Sequence, residues 1–293
     1  MTAKVSETAA QQALLPARTA AGEPVPAKAR EPWFDFNQTL PAGQRLVLGA
    51  VGWLAFLALW HFTSQMGLAP ERLYPGPTAV FNALQELFVE KSFVSDVVAS
   101  VTRIVLSFTI AVVIALPVGL LMGSFARVDG LLNPLLGAWR YLPAPAFIPL
   151  LLMWLGTGDT QKITLLLMGV VFFLVIMLAD VTRQTPRVLI ETAKTLGGGR
   201  RVILWTVLFR QSLPGYVDTC RQMLAVSWTY LVIAEIVAAT DGIGAMMMRA
   251  KRFVHVDDIM AGIVTIGVLG LLFDILFRLV YRKCFPYLGR ASS

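Results

Sequence analysis

The chain has 293 residues, 56% of them hydrophobic and 15% charged, and its mean hydropathy of +0.68 excludes an ordinary water-soluble domain and indicates a polytopic membrane protein. Its formal net charge of +7 gathers in loops rather than on one amphipathic face, which suits lipid headgroups and the positive-inside bias better than a nucleic-acid partner. The only cysteines, Cys220 and Cys284, lack CxxC spacing, and the only histidines, His61 and His255, lie far apart, so no disulfide framework, metal site or cofactor is expected.

From Met1 to about Asn37 the chain is rich in Ala, Pro, Glu, Thr and Gln, with no apolar run, and reads as a disordered tail. The first apolar run begins only near Leu46, too late for a signal peptide, so the tail is expected to stay in the cytosol. A helix needs about 20 apolar residues to cross a hydrocarbon core of roughly 30 Å. Six candidate spans follow, over Leu46 to Phe62, Val97 to Met122, Tyr141 to Leu155, Ile163 to Leu178, Tyr216 to Ala239 and Met260 to Tyr281. Pro143, Pro145 and Pro149 interrupt the third, which predicts a bent helix surrounded by protein, either beside a pathway or kinked for packing alone.

Between the first two spans, Leu73 to Pro77 reads LYPGP and leads into AVFNALQELF, with Val80, Phe81, Leu84, Leu87 and Phe88 at helical spacing. This predicts a short interfacial helix after a proline turn, bracing the span ends or meeting a partner. The expected organisation is a tail over 1–40, a first transmembrane helix and amphipathic segment over 41–95, a five-helix core over 96–286 and a short tail over 287–293. With both termini inside, the inner loops and tails hold Arg30, Arg45, Arg127, Arg140, Arg183, Arg187, Lys194, Arg200, Arg201, Arg210, Arg278, Arg282 and Lys283, against Arg72, Lys91, Lys162, Arg249, Lys251 and Arg252 outside, which is the orientation the positive-inside rule favours.

One segment cannot be a span. From Glu191 to Gly215, ETAKTLGGGRRVILWTVLFRQSLPG sets Arg200, Arg201 and Arg210 beside three glycines, and each charge at a helix centre costs about 2.5–3.5 kcal/mol on insertion scales. A cytoplasmic docking loop is expected there, with Glu191 at the start of a short helix, a sharp exit at Gly197 to Gly199 and a helix restarting at Pro214. The glycines lack the GxxxxGK[ST] spacing that wraps a nucleotide, so ATP is not hydrolysed by this chain and no catalytic residue is assigned.

Ionisable groups inside spans are pathway candidates because they face the bundle interior or water. Glu235, late in the fifth span, and Arg103, early in the second, are the sharpest; each fits either a hydrogen bond between helices or contact with solute. Trp228 lies mid-span among Ser227, Thr229 and Tyr230, with helix packing as the alternative role. Asp218 and Arg221, three apart on one helix face, suit pairing with each other or with Asp180. Gly119 with Gly123, and Gly262 with Gly267 and Gly270, suit close helix approach within the chain or across a pair of copies.

Glu191, Ala193, Gly197 and Leu213-Pro214-Gly215 together resemble the EAA loop of permeases in ATP-binding-cassette (ABC) importers, in the nitrate, sulfonate, taurine and bicarbonate group. Thr192 replaces an alanine and Arg210 a proline of that pattern. The resemblance extends to Leu73 to Pro77, to Ser100-Val101-Thr102-Arg103, to Pro143 through Gly156, and to Arg221 through Glu235 and Gly242-Ile243-Gly244, covering Leu40 to Pro286. It implies an all-α type I importer fold with about six transmembrane helices and a coupling helix near Leu189 to Leu196. It also implies separate ABC ATPase subunits, an extracytoplasmic solute-binding protein, a permease dimer in the plasma (inner) membrane, and a small solute such as sulfonate, taurine, nitrate or bicarbonate moved by alternating access. The rival is a secondary transporter or channel without an ATPase; it would show inverted repeats or paired charges along a path, and no repeat is evident.

Overall fold

The computed structural model describes residues 40–67, 69–238 and 240–287, all of whose regular structure is helical. The expected tails lie outside the described residues up to position 39 and from position 288. The chain divides into two compact units, Met1–Ala55 and Phe56–Ser293.

The described part of the first unit is the beginning of α1 (Ala42–Gln65), a helix long and apolar enough to cross a membrane. Leu46, Trp53 and Leu54 stand exposed on it, as a helix wetted by lipid requires.

In the second unit the end of α1 is tied to the LYPGP turn: Trp60 Nε1 donates to the Pro75 carbonyl at 3.2 Å, and the Thr63 and Tyr74 hydroxyls meet at 3.0 Å. Pro77 then opens α2 (Pro77–Val89) at a position where its missing N–H costs nothing. The inward face of α2 is Val80, Ala83 and Leu87, packed with Phe93, Ile243, Met246 and Ala261. Phe81 and Phe88, expected on that apolar face, stay at the surface, and Phe88 meets Phe93 edge-on.

The spine is α3 (Phe93–Ser124) laid along α6 (Asp159–Arg183). Gly119 and Gly123 decide that approach. A Cβ at Gly119 would sit 2.8 Å from Leu178 Cβ and 2.9 Å from the Val175 carbonyl, and one at Gly123 would collide with Thr182 and the Ala179 carbonyl. These glycines therefore serve packing within the chain.

The expected third span is not one helix. Instead α4 (Ala126–Trp139), a 3-10 turn at Ala144–Phe147 and α5 (Ile148–Leu155) form a pair bent by 78°. Pro143 and Pro145 remove the N–H groups a continuous helix would need, and eight residues of α5 reach only about 12 Å, too short to cross. Trp139, stacked on Phe147 at 5.9 Å and on Phe172 at 5.3 Å, holds the bend.

After α7 (Arg187–Thr195) the chain runs through α8 (Arg200–Val202), a π-helical stretch at Ile203–Phe209, and α9 (Arg210–Ala238). Pro214 therefore lies inside α9 and does not restart a helix; the wider π turns come just before the Arg210 carbonyl that Pro214 leaves without its bond. The fifth span thus begins well before Tyr216. Between the fifth and sixth spans lies a short helix absent from the expected elements, α10 (Ile243–Arg252), and α11 (Val256–Cys284) closes the bundle. Among the described residues five helices are long and apolar enough to cross a membrane, or six if the bent pair is one span.

Candidate functional site

The expected docking helix is α7, and it begins two residues early, at Arg187 behind Pro186. Glu191 consequently sits in the middle of the helix, and no acidic residue occupies the first turn, so the dipole role expected for it does not apply. One face of α7 is fixed: Ile190 and Ala193 pack on a cluster of Leu120, Ile203 and Leu208 from α3 and the π stretch. The other face carries Val188, Leu189 and Leu196, exposed among Arg187, Lys194, Arg200 and Arg201.

The exit from α7 is a Schellman motif. Gly198 N–H reaches back to the Ala193 carbonyl at 2.8 Å and Gly197 N–H to the Lys194 carbonyl at 3.0 Å, with Gly197 at φ +79°. A Cβ on Gly198 would stand 2.6 Å from the Ala193 oxygen. Glu191, Ala193 and Gly197 thus share one capped surface helix. Leu213, Pro214 and Gly215 lie elsewhere, in α9, where a Cβ on Gly215 would press on the Val181 side chain of α6. Close by, the Thr182 and Tyr216 hydroxyls meet at 2.5 Å, joining the same two helices, and those of Thr185 and Ser212 meet at 3.4 Å, joining the turn after α6 to α9.

At the other end of α9 the candidates Arg103 and Glu235 bond to each other, with Arg103 Nη1 donating to Glu235 Oε1 at 2.7 Å. Their side chains are 3% and 0% exposed, so in this conformation they are buried against one another. Arg103 also donates to Asp159 Oδ1 at 2.8 Å, to Asp241 Oδ1 at 2.7 Å and to the Asp241 carbonyl at 3.0 Å, joining α3 to the start of α6 and to the turn after α9.

Glu235, with Asp96 and Ser100 of α3, also caps α10. Gly242, Ile243 and Gly244 offer N–H groups without intrahelical partners, which donate to Asp96 Oδ1, Ser100 Oγ and Glu235 Oε2 at 2.8–2.9 Å. Arg249 reaches the second Asp96 oxygen at 2.6 Å. Gly242, at φ +104°, leaves no room for a Cβ against the Glu235 carboxylate and Arg103, which explains the Gly-Ile-Gly sequence. Burial pushes the Asp241 carboxyl upward, but the hydrogen bond and charge of Arg103, with Lys162 and Thr240, outweigh it and hold Asp241 below the usual carboxylate range.

The network also contains Asp96, Asp159, Asp241 and Arg249, which sequence spacing does not single out. Asp96 and Asp159 give a faint sequence signal, an acid in the first turn of α3 and of α6, which reads equally as a helix start. Trp228 is buried against Phe273 at 5.9 Å, and its indole N–H has no hydrogen-bond partner among the described residues. Arg221 pairs with Asp218 and with Asp274 of α11, both at 2.7 Å, whereas Asp180 pairs with Arg183.

Residues 115–285 match the family of binding-protein-dependent transport system inner membrane components, a stretch that includes both α7 and the fifth span. The chain belongs to that family. Similar proteins include the taurine transport system permease protein TauC of Escherichia coli, 32% identical over 85% of this chain and 92% of TauC. The bicarbonate transport system permease protein CmpB of Synechococcus elongatus is 29% identical over 78% of this chain and 86% of CmpB. An inward-facing crystal structure of the MetNI methionine ABC transporter superposes with a TM-score of 0.60 at 22% identity, over 65% of this chain and 95% of that one, which is a likeness of fold. The protein is a multi-pass inner-membrane permease component of an ABC importer with the type I fold.

Proposed function

We propose that two copies of this permease enclose a solute path, that separate ATPase subunits grip α7, and that a binding protein delivers solute at the opposite ends of the spans. Both termini and α7 then face the cytoplasm, in keeping with the positive charge around α7. The observation that carries this reading is α7 itself, a capped helix with one face fixed to the spans through Ile190 and Ala193 and the other offering Val188, Leu189 and Leu196 to a partner. Movement of an ATPase under Glu191, Ala193 and Gly197 passes through the π stretch into α9, where Leu213, Pro214 and Gly215 hold that helix to α6. Arg103 and Glu235 make the far ends of α3, α6 and α9 move as one body, with Trp228 backing the path from inside. The solute is a small oxyanion or zwitterion of the sulfonate, taurine, nitrate or bicarbonate kind, supported by the TauC and CmpB relatives.

The test is co-purification with candidate ATPase subunits in mild detergent, for the native chain, Glu191→Ala and Gly197→Asp. Association lost in the variants, with the permease still folded, supports coupling through α7. Solute flux in proteoliposomes that needs neither ATP nor an ATPase subunit overturns the assignment in favour of a secondary transporter.

A further inference from the structure

A crevice of about 470 Å³ opens where the last turns of α1 and the first turns of α11 meet the LYPGP turn, sharing no residue with α7 or the Arg103 network. Its walls are Phe56, Leu59, Trp60, Met260, Ile263 and Val264. The polar groups at its rim are already satisfied, since the Thr63 and Tyr74 hydroxyls bond to each other and the Trp60 indole N–H donates to the Pro75 carbonyl. What remains is carbon surface, and an apolar cavity of this kind does not hold water.

A second cavity, of about 690 Å³, adjoins the crevice along two elements. In the turn Tyr74 lines the crevice and Pro75 the cavity; on α11 Asp257 lines the cavity, with Met260 and Val264 in the crevice. Asp257, Met260 and Val264 stand at i, i+3 and i+7, so they share one helix face that is charged at the start of α11 and apolar from the next turn on. Glu71, Arg72 and His255 complete the polar lining. The adjacent Asp258 is paired with Lys91 at 3.1 Å, whereas the side chains of Glu71, Arg72 and Asp257 have no hydrogen-bond or ion-pair partner among the described residues.

Depth assigns the two compartments to different layers of a bilayer. Both α1 and α11 are long and apolar enough to cross, and Trp60 and Tyr74 are the aromatic, polar-tipped residues that gather at headgroup level. The crevice therefore lies in hydrocarbon and the charged cavity among headgroups. A helix of a second copy suits the crevice poorly, because close helix approach in a membrane uses small residues and these walls are Phe56, Trp60, Met260 and Ile263. A flexible acyl chain needs no such approach. Above it, the Arg72 guanidinium matches a phosphate, and the Glu71 and Asp257 carboxylates match an ammonium.

We propose that this two-part groove binds one phospholipid with a zwitterionic phosphoethanolamine headgroup, in the leaflet opposite α7. One acyl chain fills the crevice, Arg72 holds the phosphate, and Glu71 and Asp257 hold the ammonium. The lipid joins the end of α1 to the start of α11 where side chains alone leave a gap. Such a site needs only the membrane placement of these two helices, whatever the solute and however it passes.

The test is native mass spectrometry of the full chain in detergent, titrated with dioleoyl phosphatidylethanolamine or dioleoyl phosphatidylglycerol. The variants are Arg72→Ala for the headgroup, Ile263→Trp to fill the crevice and Leu272→Trp as a control elsewhere on the exposed surface of α11, with gel-filtration profiles reporting that each is folded. We expect phosphatidylethanolamine to bind the native chain and Leu272→Trp alike, and to bind Arg72→Ala and Ile263→Trp about tenfold more weakly or worse, as loss of a charge-assisted contact or of the chain's space requires. Phosphatidylglycerol, which has no ammonium, should bind the native chain more weakly than phosphatidylethanolamine does. No retained lipid on the native chain, or equal binding of phosphatidylethanolamine by all four chains, overturns the site, because lipid then merely coats the spans. Phosphatidylglycerol binding as tightly as phosphatidylethanolamine overturns the assignment of the headgroup. In a chain carrying Cys220→Ser and Cys284→Ser, an Ile263→Cys substitution that forms a disulfide with a second copy in membranes also overturns the proposal, since protein then fills the crevice.

Discussion

Arg103 ties together parts of the chain that lie far apart in sequence. Its guanidinium meets carboxylates from three places in the chain, Asp159, Glu235 and Asp241, and Glu235 in turn holds Ser100 and the first turn of α10. Removing one partner of a buried pair leaves the other charge uncompensated, so Arg103→Leu is expected to cost about 3–5 kcal/mol of stability. Arg103→Leu combined with Glu235→Gln removes the stranded charge and should recover a substantial part of that loss, measured as thermal unfolding in detergent. A double variant no more stable than the single one would show that the pair is not the main interaction of Arg103. The Asp241 carboxylate extends the network toward solvent.

At the scale of elements, α7 is short and held on one side only, so its cap matters more than its propensity. Nine residues do not make a stable isolated helix. Gly197 adopts a left-handed conformation that costs an ordinary residue about 1 kcal/mol or more, and Gly198 must approach the Ala193 oxygen closely. Gly197→Ala is therefore expected to leave the spans folded while amides over 187–198 exchange hydrogen faster, as mass spectrometry would read, and to weaken ATPase association. Unchanged exchange would mean that packing of Ile190 and Ala193 alone holds the helix. The π stretch before α9 is the complementary element, because it lets one helix carry Pro214 and still run on to Glu235.

For the whole molecule, acid is the informative perturbation. Asp241 is held below its ordinary value near 3.8, so the stability it contributes is fully present above that pH and is lost as the pH falls through its folded-state value. Stability should thus be flat in this contribution from pH 7 to about pH 5 and decline below about pH 4, and Asp241→Asn should shrink the acid-induced loss, monitored as thermal unfolding across pH. An unchanged acid limb in Asp241→Asn would contradict that assignment. Much of the fold is legible in the sequence, and the reason is the solvent. A bilayer acts on each segment separately, so apolar length marks α1, α3, α6, α9 and α11, and the basic glycine-punctuated run marks the exposed α7. Arg103 and Glu235 are visible as charges within spans, since that placement is costly wherever it occurs. Their pairing is not visible, because 132 positions separate them and only the packing of α3 on α6 and α9 brings them together. The prolines announce a break near Pro143, but its 78° angle and the running of α9 through Pro214 depend on the stacking of Trp139 on Phe147 and Phe172 and on the π turns before Arg210, which proline positions alone do not reveal. Sequence by itself determined which five segments are long and apolar enough to cross a membrane and that the basic run from Glu191 is unlike them; tertiary structure decided which charges neutralise one another, because that depends on neighbours far away in the chain.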